Sequence, residues 1–243
     1  MIIQQEYRIK ISDIGKENKI TNKAILGILE DVACKHSDIA GYGVLNIPQT
    51  HLTWLLLEWK VQVIKRPGYG ESIIAKTWSK ESKKCYAFRD FEICDMKGNI
   101  LIKAISKWVL MNVKDRKIQS ISNEVIGSYE PELDKIVFDN EEFKKIKEPE
   151  NYEKELLYKV RRADIDLNNH MHNLNYIELA NEILPNSIYD NGELDNFRIT
   201  YKKEIKLDDV VRCKYIYENG ENIIIIKSKD DKILHAIIKL ENK

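Results

Sequence analysis

Cysteine is scarce in this chain, and the four present are scattered. Cys34, Cys85, Cys94 and Cys213 form no CxxC pair, which argues against a cysteine-based zinc site and supplies no disulfide framework. A reduced, cytoplasmic setting is expected. Excess charge of one sign is also lacking: 39 Lys and Arg balance 39 Asp and Glu, so no whole-chain argument for a nucleic-acid partner exists. No apolar run approaches the roughly 18 residues of a membrane span, and the opening MIIQQEYRIKIS has no basic flank leading into an apolar core. Neither membrane insertion nor export is expected. The 243 residues leave room for one large or two small domains with a core that needs no staples.

What is present is apolar periodicity in a definite order. A strand near Tyr7–Ser12 is followed by a helix over about Thr21–Ser37, in which Ile25, Leu26, Leu29, Val32 and Ala33 make one stripe. Strands are expected at His51–Lys65, Glu71–Ser79, Cys85–Cys94 and Ile100–Val113, punctuated by Pro67-Gly68 and Lys97-Gly98. Residues 114–153 are charge-rich and read as a surface connector between a first unit, 1–113, and a second, 154–243. The order then repeats: a strand at Leu157–Arg162, a helix at Asn173–Leu184, and strands at Asn196–Leu207, Val210–Glu218, Asn222–Ser228 and Ile233–Leu240. Asn219-Gly220 between two of them signals a type I′ hairpin.

Sliding the halves over each other at an offset of 164 − 13 = 151 tests the repeat. Tyr7 falls on Tyr158, Ile9 on Val160, Asp13 on Asp164, Ile14 on Ile165, Asn22 on Asn173 and Leu26 on Ile177. The same register fails informatively, because Gly15 faces Asp166, Glu17 faces Asn168 and Lys19 faces His170. The first half keeps the scaffold and lacks the polar set. A strand, a long helix and four strands, given twice, is the order of two hotdog units, an α+β arrangement in which an antiparallel sheet wraps one helix. Pairing two units edge to edge would cover exposed sheet edges.

The chemistry concentrates in DIDLNNHMHNLNY, Asp164 to Tyr176. Read as an extended segment, it places Asp164, Asp166, Asn168 and His170 on one face. A polar stretch before a helix is often only a turn and cap. The same stretch, with Tyr201-Lys202-Lys203-Glu204 lying 204 − 170 = 34 residues beyond His170, resembles the acyl-acyl carrier protein thioesterase family, whose pattern is close to DxDxNxHVNNxxY and then YRRE. Leu52-Thr53-Trp54, Arg66-Pro67-Gly68-Tyr69-Gly70-Glu71 and Arg89-Asp90-Phe91-Glu92 extend the likeness over nearly the whole chain. Two departures stand out: His172 replaces a family asparagine, and Ile205 stands where plant members carry cysteine, which argues against a cysteine nucleophile.

The resemblance implies a double hotdog whose first unit houses an acyl chain and whose second hydrolyses the thioester of acyl-acyl carrier protein (acyl-ACP), without cofactor or metal. The expected catalytic residues are Asp166, Asn168, His170 and Glu204. Glu204 would be base or nucleophile beside His170, Asn168 would orient water or the carbonyl, and Asp166 would fix the His170 tautomer. Asn173 is the expected N-cap, with main-chain N–H groups nearby to hold an oxyanion. His172 reads as solvated or capping; His36, His51 and His235 as structural; and Trp54, Trp59, Trp78 and Trp108 as core. An acidic carrier protein would dock on Lys202 and Lys203 or on Lys144, Lys145 and Lys147. The pattern is also compatible with a homodimer. Competing readings are an acyl-CoA thioesterase, a hotdog hydratase or dehydratase, and a non-catalytic acyl-binding module.

Overall fold

The computed structural model describes residues 1–139 and 143–242, which form two compact units, Met1–Glu142 and Phe143–Lys243. In the first, β1 (Ile3–Arg8) precedes α1 (Asn22–Ile39), the single turn α2 (Ile47–Thr50), β2 (Leu52–Val63), β3 (Ser72–Ser79), β4 (Tyr86–Asp95), β5 (Ile100–Asn112), β6 (Lys117–Gln119) and α3 (Asn123–Ser128). In the second, β7 (Lys154–Lys159) precedes α4 (Asn175–Ile183), α5 (Asn186–Tyr189), β8 (Asn196–Tyr201), β9 (Val210–Glu218), β10 (Glu221–Ser228) and β11 (Leu234–Glu241).

Within the first unit the five long strands run β1-β3-β4-β5-β2, and within the second β7-β9-β10-β11-β8, every pairing antiparallel. Numbered within its own unit, each sheet has the order 1-3-4-5-2. Each unit is thus a hotdog. The helix in each is held by its apolar face. In α1, Ile25, Leu26, Leu29 and Val32 are fully buried and pack towards β3 and β1; Trp59, Trp78, Phe91 and Ile93 are buried in the same unit. In α4, Tyr176, Ile177, Leu179, Ala180 and Ile183 fill that role. Each such aliphatic or aromatic side chain contributes about 1.5–3 kcal/mol on leaving water. Asn219 and Gly220 both have positive φ, 54° and 83°, as a type I′ turn requires.

Several expectations need correction. The first strand of each unit ends earlier, at Arg8 and Lys159, because a carboxylate bends the chain: Lys10 N–H donates to Asp13 Oδ2 and Arg161 N–H to Asp164 Oδ2, both at 2.8 Å. A 3-10 turn follows in each. β8 stops at Tyr201 rather than Leu207, since the N–H groups of Lys202 and Lys203 both turn to the His235 carbonyl. Much of 114–153 is also more than a surface connector. β6 pairs with β5, Val125 and Tyr129 are buried with Leu110, and Trp78 Nε1 donates to the Lys135 carbonyl. Farther on, Ile146 and Tyr152 pack on Ile223, Ile225 and Ile237.

The histidines outside the motif are structural. His36 is buried, its Nδ1 2.7 Å from Arg89 Nη1; burial, then the Arg89 charge, pushes its pKa down to about 3 and keeps it neutral. His51 closes α2 in the left-handed region, and His235 Nδ1 lies 3.0 Å from the Lys203 carbonyl. Trp59 and Trp78 are core. Trp54 and Trp108 are only half-buried, their indole N–H groups donating to Tyr129 Oη and Ser106 Oγ.

Candidate active site

The segment 164–172 is a tight loop, which corrects the extended reading. Asp166 N–H donates to the His170 carbonyl at 2.8 Å, Asn169 N–H donates back to the Asp166 carbonyl at 3.1 Å, and Ile165 pairs with Met171 across the loop. Asn169 sits at φ 61°, a conformation asparagine tolerates better than most residues. The four polar residues therefore do not line one face of a strand. Asp164 is withdrawn from the set altogether. It is 2% exposed and accepts from Tyr158 Oη at 2.5 Å, from Arg161 N–H and from Arg161 Nη2 at 2.8 Å. Burial raises its pKa, but these hydrogen bonds outweigh burial and hold the carboxyl below its usual range. Its work is structural.

Asp166 organises the loop through the main chain. Its Oδ1 accepts from Asn168 N–H at 2.8 Å and from His170 N–H at 3.2 Å, while Asn168 Nδ2 reaches Oδ2 at 3.4 Å. The expected contact to the His170 ring is replaced by one to its backbone. Asn168, exposed at the tip, and half-buried His170 are left to face outward.

Glu204 reaches this loop by strand pairing. Met171 N–H donates to the Ile205 carbonyl at 2.8 Å, and His170 and Lys206 form an antiparallel bridge. Counting along that register puts Glu204 opposite His172, two positions from His170, and positions two apart share a side. Half-buried Glu204 and His170 thus belong to one patch. Tyr176, 3% exposed, lies beneath it. Burial raises its phenol pKa, and the charges of Glu204 and Asp166 raise it further, so both carboxylates lie within electrostatic reach of one buried phenol. Tyr176 packs edge-on against Tyr201 at 5.2 Å, and Tyr201 Oη donates to the Asn173 carbonyl.

The helix start also differs from expectation. α4 begins at Asn175 with Leu174 as its N-cap and no side-chain cap, and His172 accepts from Leu174 N–H through Nδ1 at 3.2 Å. Asn173 is not the cap. The N–H groups of Asn175 and Tyr176 bond to the carbonyls of His172 and Asn173, so these three donors are already engaged and are no ready oxyanion hole. Sequence reasoning missed Asn169 and Tyr176; an asparagine facing Asn18 at the repeat offset was the available signal for the first. Among the described residues no group of three or more His, Cys, Asp or Glu is gathered as a metal ligand set.

Residues 1–129 match the acyl-ACP thioesterase N-terminal domain, and residues 147–241 match the acyl-ACP thioesterase C-terminal domain. The chain belongs to the acyl-ACP thioesterase family. Among curated relatives, it is 28% identical over 223 residues to oleoyl-acyl carrier protein thioesterase 1, chloroplastic, of Arabidopsis thaliana, covering 86% of this chain and 62% of that one. It is 25% identical to dodecanoyl-[acyl-carrier-protein] hydrolase, chloroplastic, of Umbellularia californica, over 91% of this chain and 61% of the relative. The chain thus spans somewhat under two thirds of the length of these relatives. Among solved structures, the 12:0-ACP thioesterase of U. californica superposes with a TM-score of 0.87 at 22% identity, covering 99% of this chain and 93% of that one. An acyl-ACP thioesterase from Bacteroides thetaiotaomicron gives 0.87 at 20% identity, over 99% and 97%. The fold is the double hotdog.

Proposed function

We propose that the protein hydrolyses the thioester of acyl-ACP and releases free fatty acid, ending chain elongation. The observation that carries this reading is the repeat: one scaffold is built twice, and only the second copy bears Asp166, Asn168, His170 and, on the neighbouring segment, Glu204. A purely structural loop would not need that substitution. In the proposed reaction Glu204, with His170 on the same patch, takes a proton from water as its oxygen adds to the carbonyl carbon. Collapse of the adduct breaks the C–S bond, and the proton passes to the departing thiolate. Asn168, at the loop tip, offers an amide N–H to the carbonyl oxygen, a role now more important because the helix-start donors are engaged. Asp166 positions His170 by gripping its main-chain N–H.

The acyl chain is assigned to the first unit and the setting to a reducing cytoplasm, which the four free cysteines fit. Among the described residues no helix is long and apolar enough to cross a membrane. A homodimer is compatible with this reading. Thiol release from acyl-ACP, followed with a disulfide reagent beside acyl-CoA of the same chain, tests the reading. A higher kcat/KM on the carrier substrate is expected. Equal or better turnover of acyl-CoA would replace the carrier with a nucleotide handle, and tight acyl binding without thiol release would make the protein a binding module.

A further inference from the structure

Two segments frame the catalytic loop, and their cations fall into two kinds. The 3-10 turn Arg162–Asp164 is tied to the loop by His172 N–H on the Asp164 carbonyl, and segment 202–209 by the Met171 to Ile205 bond. Arg161 is spent on buried Asp164, and Lys159 on Asp208 at 3.0 Å. Arg162, Lys202, Lys203 and Lys206 are all exposed, and none makes a side-chain ion pair among the described residues. The local carboxylates do not cancel them in kind. Half-buried Asp166 and exposed Asp209 accept from main-chain N–H groups, Asp209 from Lys206 N–H at 2.8 Å, and Asp164 is buried.

The local fold does not demand these cations. Their counterparts in the first unit are Ile11, Ile64, Lys65 and Gly68, on a backbone that makes the same bonds, so only Lys203 has a cationic equivalent. The lysines of 144–147 are less well placed. Their segment is anchored on β8, β10 and β11, through Arg198 Nη2 on the Lys144 carbonyl and through Ile146, with no hydrogen bond to the loop among the described residues.

We infer that Arg162, Lys202, Lys203 and Lys206 form the docking rim for the acidic surface of the carrier protein, holding it while the acyl thioester reaches Glu204 and His170. This deepens the proposed function and rests on it. Unpaired exposed cations around a reaction centre steer an oppositely charged partner and are screened by salt.

The test compares three substrates carrying the same acyl chain: acyl carrier protein, CoA, and pantetheine without phosphate. In Arg162→Glu/Lys202→Glu/Lys206→Glu, KM for the carrier substrate should rise at least tenfold, while the other two stay within twofold. An equal change on all three, or none on the carrier, overturns the inference. A rise on carrier and CoA alike, sparing pantetheine, also overturns it, since the rim would then read a phosphate. Each single reversal, checked by thermal melting, guards against misfolding of the triple variant. If the wild-type protein hydrolyses none of the three, the functional reading fails, and fluorescence anisotropy with labelled carrier protein decides docking separately: salt-sensitive binding lost in the variant upholds it, and unchanged or absent binding sinks it.

Discussion

The loop at residues 10–22 and the loop at 161–173 make the same hydrogen bonds at one offset. Asp13 N–H to Lys10 carbonyl, Gly15 N–H to Lys19 carbonyl, Asn18 N–H to Gly15 carbonyl and Thr21 N–H to Asp13 carbonyl recur as Asp164 to Arg161, Asp166 to His170, Asn169 to Asp166 and His172 to Asp164. Asn18 and Asn169 share a positive φ, 55° and 61°. The neighbouring segment recurs as well, at 205 − 67 = 138: Ile20 N–H bonds to the Pro67 carbonyl as Met171 N–H does to Ile205. Arg66 is therefore the counterpart of Glu204. It donates to the Ile20 carbonyl and to Asn22 Oδ1, at 3.0 and 2.9 Å, and so closes the corresponding position with main-chain and amide contacts. The comparison separates two layers. Main-chain bonds, an aspartate and an asparagine build the loop; under the proposed function, the residues at 15, 17, 19 and 66, or 166, 168, 170 and 204, decide whether it has acid–base chemistry.

The largest effects should come from that second layer. His170→Ala and Glu204→Ala should each lower turnover by about 10²–10⁴-fold with the melting temperature nearly unchanged, measured as thiol release beside thermal melting. Near-normal rates in both would break the distinction between the units. Next come the aspartates of the scaffold. Asp164→Ala removes the acceptor of a buried cluster and should cost about 2 kcal/mol, whereas Asp13→Ala, at a half-buried position, should cost less; urea unfolding measures both. The Asp164 carboxyl is held below its unfolded value, so its stabilisation is present above about pH 4 and is lost as pH falls through the lower folded value. Acid unfolding of Asp164→Asn should accordingly be shallower than that of the wild type, and an identical acid profile would contradict the assignment.

The repeat and the two sheets were legible because apolar alternation, one long helix per unit and a constant offset survive in the residues themselves. The site was legible in part. Glu204 was singled out by the family resemblance, and the register of the neighbouring segment brings it beside the loop; the main-chain bonding of Asp164 and Asp166 was not legible, since alternation in DIDLNNHMH imitates a strand until Asn169 turns the chain. The helix start was hidden for a similar reason: Thr21 Oγ1 caps Ala24 N–H in the first unit at 3.2 Å, whereas at the matching position His172 Nδ1 accepts from Leu174 N–H and the helix opens two residues later than Asn173. The ends of β1, β7 and β8 depend on carbonyls and carboxylates far from the apolar pattern, so no periodicity could place them.

Smaller effects sharpen the same comparison. Asn18→Ala and Asn169→Ala should each cost about 1 kcal/mol, the ordinary penalty of a Cβ in the left-handed region, and the glycine variants much less. A marked inequality between the two loops would mean that they are not the same scaffold. Smallest of all, alkylating exposed Cys34 should leave turnover within twofold. Burial and the neighbouring Glu30, Asp38 and Asp31 push its thiol up to about 11, which slows the labelling; Cys213 is buried and raised to about 12. Activity lost in step with labelling, and protected by fatty acid, would bring a thiol into the reaction.

The most direct measurement gives the second loop the residues of the first. The variant Asp166→Gly/Asn168→Glu/His170→Lys/Glu204→Arg retains the main-chain acceptors that Arg66 and Gly15 use in the first unit, so it should fold. Thiol release from acyl-ACP should fall to the uncatalysed background while a cooperative thermal melt persists. Turnover within tenfold of wild type, in a variant that still melts cooperatively, would contradict the claim that these four residues distinguish the working copy of the repeat from the silent one.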